Sequence, residues 1–259
     1  MQSFQLEGKK VVLTGAGGIL GSRITAELLE QGAQVVAIDR DMNTLIALRE
    51  ANQCSPALHV HAVDICNHNA LKQLSTSVGD VDVLINNAAT KSPHFFNSFE
   101  TFPVEDWQQV MNVNVTGAMH CCQLFGGAMA KAGKGSIINV LSIYGVVAPD
   151  QRIYEGSEYL GKAINTPAVY SVSKAALWGL THHLAAYWGH CGVRVNAVTP
   201  GGIFSGQNQT FVDRYSSRVP LGRMGQKDEL LGAFLFLASD LSSYITGQNI
   251  IVDGGLTVW

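Results

Sequence analysis

The sequence has little charge of either sign. Asp, Glu, Lys and Arg together make up 14% of its 259 residues, and they nearly cancel, leaving a formal net charge of −3. A nucleic-acid binder needs a concentrated basic surface and a disordered chain needs high charge with few apolar residues, so neither class fits. Cysteine is sparse as well. The five thiols, Cys54, Cys66, Cys121, Cys122 and Cys191, form no CxxC pair and no zinc-like spacing, and their odd number argues against a disulfide framework. No metal site is expected. Cys121 and Cys122 sit in an apolar helical stretch and read as small buried hydrophobes. Long apolar runs are missing too: Met1 to Lys10 lacks the core of a signal peptide and no later stretch reaches the length of a membrane span. A cytoplasmic protein with a small-molecule substrate and no membrane or nucleic-acid partner is the expectation.

What is present is apolar and rich in glycine, with 47% hydrophobic residues and 27 glycines. Short β-branched runs at Lys10–Thr14, Gln34–Asp39, Leu58–Val63, Val81–Asn86, Ser136–Leu141, Val193–Val198 and Asn249–Asp253 alternate with longer helical patterns. That alternation predicts repeated βα units around a parallel sheet. The runs are apolar at nearly every position, as in Val35-Val36-Ala37-Ile38, which fits strands covered on both faces. The expected fold is α/β: a Rossmann-type, doubly wound, seven-stranded parallel sheet with helices on both faces, in a single domain over 1–259. No repeat or linker-like tract marks a second domain. One stretch stands apart. Val146–Asn165 is polar, contains Pro149, Gly156 and Gly161, and has no clear period; long irregular segments in compact domains are usually functional.

The first run ends in Thr14-Gly15-Ala16-Gly17-Gly18-Ile19-Leu20-Gly21 and continues into a helical pattern that stops near Gly32. Glycines there let the backbone approach a pyrophosphate, while the helix offers free N–H groups and the positive end of its dipole. Asp39 ends the second run, 18 residues past Gly21, near the ~20-residue spacing at which an acidic group meets the adenosine ribose. Its charge repels a 2′-phosphate and favours NAD, although the adjacent Arg40 offers NADP a partner. Asp64 closes the third run, where a carboxylate can accept from an adenine amine or simply cap a turn. Asn86-Asn87-Ala88-Ala89 closes the fourth with small residues that leave room for a cofactor and amides that can tie strand ends together.

Tyr170 and Lys174 stand four apart in Val169-Tyr170-Ser171-Val172-Ser173-Lys174, on a helix predicted to be capped by Thr166 with Pro167 in its first turn. That spacing puts both side chains on one helix face. A phenol with a pKa of ~10 is a poor base at neutral pH, and an adjacent ammonium and a nicotinium ring are expected to stabilise its phenolate.

With these pieces in this order, the sequence resembles the short-chain dehydrogenase/reductase family over essentially its whole length. The matching motifs continue through Asn114-Val115-Thr116-Gly117, Ser142, Pro200-Gly201 and Val252-Asp253-Gly254-Gly255. The resemblance implies an NAD-dependent oxidoreductase, with NADP less favoured, that moves a hydride between nicotinamide and a secondary alcohol or ketone. It implies a tetrad in which Ser142 binds the substrate oxygen, Tyr170 exchanges its proton, Lys174 holds the nicotinamide ribose and Asn114 positions a relay water. Cofactor contacts carried over are Gly15, Gly18, Ile19, Gly21, Asp39, Arg40, Asp64, Ile65, Asn87, Ala88, Tyr170, Lys174, Pro200, Gly201, Ile203 and Ser205. A homotetramer is expected, packed through the helix Glu105–Lys131 and the Tyr170 helix, with Met111, Val115, Met119, Leu177 and Trp178 as apolar surplus.

There are departures from the family pattern. Glycines at 15, 18 and 21 give TGxxGxxG, the spacing of the family's longer sugar-nucleotide branch; Ala89 replaces the usual Gly, and Ser205 the usual Thr. Ser142 and Tyr170 are separated by 27 residues, more than short members usually have, so 146–165 reads as an insertion over the substrate entrance, with Tyr154 and Tyr159 able to stack on a ring. The combination resembles a subgroup associated with bacterial surface glycans, flagellin modification and legionaminic acid-type sugars. Sugar-facing candidates are Lys91 and His94, Tyr144 to Glu158, and Asn208 to Arg214; an anionic substrate group would want Lys91, Arg152 or Arg214. His182 and His183 read as surface or subunit contacts. Two rival readings remain, a redox-neutral sugar-nucleotide dehydratase or epimerase and a non-catalytic cofactor-binding scaffold.

Overall fold

The computed structural model describes residues 4–159 and 161–259. Nine strands form among them: β1 (Lys10–Thr14), β2 (Gln34–Asp39), β3 (Leu58–Ala62), β4 (Val83–Asn86), β5 (Gly135–Val140), β6 (Glu158–Tyr159), β7 (Lys162–Ala163), β8 (Val193–Pro200) and β9 (Asn249–Val252). Seven of them make one sheet in the order β3-β2-β1-β4-β5-β8-β9, with every neighbouring pair parallel. Strand order reverses between β1 and β4, the switch point outside which open α/β sheets bind their ligands.

In β1, β2 and β4 the apolar runs alternate in direction even though nearly every position is buried, whereas the edge strands β3 and β9 are only partly covered. Val11 and Leu13 of β1, Val35 and Ala37 of β2, and Val83 and Ile85 of β4 enter one core; Val12, Val36 and Leu84 enter the other. The first core is roofed by α1 (Ile19–Glu30), α2 (Met42–Ala51) and α9 (Leu231–Ala238) through Ile24, Leu28, Leu45, Phe234 and Leu237. The second lies under α3 (His68–Val78), a long helical run and α7 (Ala168–Trp188), through Leu71, Cys121, Cys122, Phe125 and Leu184. The buried thiols are thus core residues.

The long run covers the expected Glu105–Lys131 but is not regular. It consists of α4 (Val104–Met111), a π-helical turn Asn112–Gly117, α5 (Ala118–Cys121), a second π-helical turn Cys122–Gly126 and α6 (Gly127–Ala132). The last helix to name, α8 (Gln209–Ser216), is capped by Asn208, whose side chain accepts from the Phe211 N–H.

Strand limits shift by one or two residues from the sequence expectation, although Val63 N–H and Leu141 N–H still bond to Asp39 and Val198 carbonyls at 2.9 Å. Two expectations are corrected. Thr166 does not cap α7: the N-cap is Pro167, without a side-chain bond, and the Thr166 hydroxyl lies 2.5 Å from the Tyr154 phenol instead. The stretch 146–165 is not structureless, since it holds a 3-10 turn at Gln151–Tyr154 and the antiparallel hairpin β6–β7. The side chain of Tyr159, expected to stack on a ring, lies outside the described residues. No helix among the described residues is long and apolar enough to cross a membrane.

Candidate active site

Thr14 ends β1 with a buried hydroxyl that accepts from the backbone N–H groups of Asn87 and Ala88, both at 3.1 Å. Asn87 donates its amide in return to the carbonyls of Thr14, at 3.1 Å, and Gly15, at 3.0 Å. These bonds clamp the ends of β1 and β4 together across the switch point. Gly15 sits at φ +64°, and a Cβ there would lie 2.7 Å from the Ala88 Cα. A Cβ on Gly21 would collide with the Gly15 carbonyl oxygen. Gly18 opens α1 without a side-chain cap, so the first-turn N–H groups stay available to an anion. Ile19 beside them is 66% exposed.

Asp39 ends β2, and its carboxylate accepts from the Gly17 N–H at 3.0 Å. With Arg40, Asp64 and Ile65 it lines a crevice of 80 Å³. Asp64 also holds the Cys66 N–H at 2.9 Å, so it shapes its own turn whatever else it binds. A glycine turn that any Cβ would fill, an uncapped helix end and an acid at the tip of β2 fit a nicotinamide dinucleotide.

The reacting end lies past β5 and on α7. Lys174 is 3% exposed; its ammonium donates to the Val140 carbonyl at 2.8 Å and lies 6.0 Å from the centre of the Tyr170 ring. Burial pulls its pKa down to about 8. Tyr170 is hydrogen-bonded to Ser142, but burial outweighs that bond and raises the phenol above its ordinary value. In the protein alone, with the Lys174 ammonium held by Val140, loss of water dominates. Ser142 also accepts from the Tyr144 N–H at 3.2 Å.

Asn114 sits in the first π-helical turn, fully buried. Its side-chain oxygen accepts from the Thr90 N–H and its amide donates to Ser173, each at 3.0 Å. Through these two bonds the side chain braces the loop after β4 against α7. Pro200 ends β8, and Gly201 presses on Asp253, where a Cβ would lie 2.7 Å from its Cα. Ile203 bridges to Gly225, and Ser205 stays exposed, its hydroxyl accepting from Gln207 at 3.1 Å.

Ser142, Tyr170, Gly201 and Ser205 all border a cavity of 680 Å³. Ala89 and Thr90 border both this cavity and the crevice at Asp39, so the two adjoin. Of the sugar-facing candidates, Lys91, Tyr144, Tyr154, Glu158 and Asn208 reach the cavity. Three others do not. His94 is bound to Asp106, through its backbone N–H at 2.7 Å and its ring at 3.4 Å. Arg152 turns to Asp150 in two bonds of 2.8 Å, and Arg214 to the carbonyls of Arg152 and Glu155. Only Arg152 finds its acceptor on its own segment; Asp106 belongs to α4, and Arg214 reaches from α8 to the 146–165 segment. His182 and His183 are exposed on α7 against Trp178 and Tyr187.

Sequence reading missed Thr14 as the hub of the strand ends, Thr90 as the anchor of Asn114, and Tyr215, whose phenol accepts from the Gly202 N–H. The doubled glycine after Pro200 was the available signal, because a Cβ on Gly202 would enter the Tyr215 ring.

Residues 15–257 match the family profile described as enoyl-(acyl carrier protein) reductase. The chain is 32% identical to a galactitol 2-dehydrogenase of Rhizobium johnstonii, over 100% of this chain and 98% of that protein. A short-chain dehydrogenase from Leptospira borgpetersenii with bound NAD+ superposes with a TM-score of 0.88 at 34% identity, covering 99% of this chain and 96% of that one. A gluconate 5-dehydrogenase from Burkholderia cenocepacia, in complex with NADP and tartrate, gives 0.85 at 30% identity, covering 99% and 98%.

Proposed function

This chain belongs to the short-chain dehydrogenase/reductase family, and from that premise we propose that it oxidises a secondary hydroxyl of a sugar or polyol, or reduces the matching ketone. The main support is that Ser142 and the Lys174-flanked Tyr170 meet at the wall of a cavity that adjoins the crevice at Gly15 and Asp39. The nicotinamide dinucleotide, when bound, supplies the two-electron acceptor or donor. Ser142 orients the substrate oxygen by hydrogen bond. Tyr170 takes or gives the proton at its phenol oxygen. Lys174 presents its ammonium beside that phenol and to the cofactor ribose, and Asn114 holds the loop and α7 in register. The remaining wall, including Tyr144, Tyr154, Thr166 and Asn208, is rich in hydroxyl and amide groups, which suits a polyhydroxylated ligand. Similarity to galactitol and gluconate dehydrogenases points the same way.

Within this reading NAD is preferred to NADP, because the Asp39 carboxylate at the tip of β2, beside the Gly17 N–H, would repel a 2′-phosphate. The segment 146–165 selects the substrate, contributing Tyr154 and Glu158 to the cavity. A role in surface-glycan assembly rests on the TGxxGxxG spacing and on that added segment. The enzyme works in the cytoplasm as a homotetramer.

Incubating the protein with NAD or NADP and galactitol, glucose or gluconate, and following nicotinamide absorbance, tests the reading. Reduction is expected with at least one compound and faster with NAD. If neither dinucleotide is reduced with any polyol, sugar or sugar acid, the proposed function fails.

A further inference from the structure

The charges around the cavity deepen that reading, on which this inference rests, to a class of substrate. Among the described residues that line the cavity, Lys91 is the one cation and Glu158 the one anion. Of the other basic residues the sequence brings near, Arg152 is tied to Asp150 on its own segment, and Arg214 on α8 reaches across to the Arg152 and Glu155 carbonyls of that segment.

Lys91 is fixed at its root, because the neighbouring Thr90 N–H is bonded to Asn114 at 3.0 Å. Its ammonium lies 5.3 Å over the Phe96 ring; Phe96 meets Phe95 edge-on at 5.5 Å, and Phe95 meets Tyr170 edge-on at 6.3 Å. The cation thus shares a wall with the phenol, with two aromatic rings between them. The residue is open to solvent, yet the protein packed around its ammonium lowers the pKa by desolvation. A negative partner gains more at such a charge than at a fully hydrated lysine. Glu158 is likewise exposed, on the short strand β6. Asn208 lines the same cavity at the start of α8, so the positive end of that helix adds to the field.

We propose that the substrate is a polyhydroxylated monocarboxylate, a sugar acid, whose carboxylate pairs with Lys91 while a secondary hydroxyl several carbons away meets Tyr170. One ammonium matches one negative charge, whereas a phosphate dianion would keep an unpaired charge in a partly dehydrated site. The carbinols between are met by Tyr144, Tyr154 and Asn165, whose Oδ1 is a buried acceptor without a partner among the described residues. In the reaction the C–H and O–H bonds of one carbinol break and a C=O bond forms. The hydride carries two electrons to the nicotinamide, the proton leaves through Tyr170, and the carboxylate is unchanged.

Titrating D-gluconate, D-glucitol and glucose 6-phosphate into the NADH-loaded enzyme, with turnover of the same compounds measured alongside, tests this. Gluconate is expected to bind about tenfold or more tightly than glucitol. Lys91→Met should erase most of that preference, acting on KM more than on kcat, and Lys91→Arg should restore it. Wild-type affinity for gluconate should weaken as pH rises and Lys91 loses its proton, a trend absent from Lys91→Met. Equal affinity for acid and polyol, or an unaltered preference in Lys91→Met, overturns the sugar-acid proposal and leaves the sugar-dehydrogenase reading standing. Tighter binding of glucose 6-phosphate overturns it in favour of a phosphate. Failure of all three to bind or react overturns both.

Discussion

Lys174 carries a charge on a side chain that is only 3% exposed, and its hydrogen-bond acceptor is the neutral Val140 carbonyl. With the pKa brought down to about 8, the unfolded chain holds this proton more tightly than the folded one between that pH and the ordinary lysine value. Stability then rises with pH through that window, and below it the folded state carries the full cost of the buried charge, on the order of 3 kcal/mol. Lys174→Met abolishes this titration. The melting temperature of Lys174→Met minus that of wild type, both without dinucleotide, should therefore shrink from pH 8 to pH 10; a constant or widening gap would mean Lys174 is hydrated. Tyr170 is the complementary case, a phenol kept neutral by burial and hydrogen-bonded to Ser142. Removing only its hydroxyl, in Tyr170→Phe, should lower kcat by about 10²–10⁴ and leave dinucleotide affinity within a few-fold. Retention of near wild-type turnover would remove Tyr170 from the proton transfer.

At the scale of elements, the turn from β1 to α1 makes the most specific demand on sequence. Gly21 has backbone in the way of any Cβ, and the Gly15 carbonyl it would strike belongs to the clamp held by Asn87. Gly21→Ala is expected to abolish the rise in melting temperature that NAD gives the wild type. Gly232→Ala, in α9 with nothing within 4 Å of the new Cβ, should instead stabilise by about 0.5–1 kcal/mol. If NAD protects Gly21→Ala as it protects wild type, the turn is softer than its packing implies. This turn and the seven strands were legible in the sequence because each is enforced locally, by glycine spacing or by runs too apolar to face water. The hairpin β6–β7 was not, since two-residue strands have no period to detect. The Thr166 cap failed for a related reason: its hydroxyl is taken by Tyr154, 12 residues away, and no local rule reports a competitor at that distance. Likewise the lysine four residues from Tyr170 was visible, but the carbonyl that holds it belongs to β5.

On the scale of the whole molecule, we propose that a second copy of the chain covers the exposed face of α7. A surface helix carries charged residues opposite its apolar stripe. In its 21 residues α7 has one charged side chain, Lys174, and that one is buried. Its exposed positions are instead Val172, Ala175, Gly179, His182, His183, Ala186 and Tyr187. Leu177, expected from sequence to be surplus, is 1% exposed within its own chain, so the uncovered face is this other one. Small residues at Ala175, Gly179 and Ala186 leave room for a second helix to approach closely, and a two-fold axis through that face would pair α7 with its own copy. A second apolar region lies near the chain end, where Leu221, Val258 and Trp259 are 68%, 78% and 80% exposed and the Trp259 indole is bonded to the Arg218 carbonyl. If each patch pairs with its own copy about a separate two-fold axis, a tetramer with dihedral symmetry closes. Sedimentation should then give four times the 27.8 kDa chain mass. Ala175→Glu with Gly179→Glu should reduce it to a dimer held by the terminal patch, and adding Trp259→Asp should leave a monomer. A stable monomer in the wild type at micromolar concentration would show that α7 tolerates water on its apolar face, and the tetramer would be wrong.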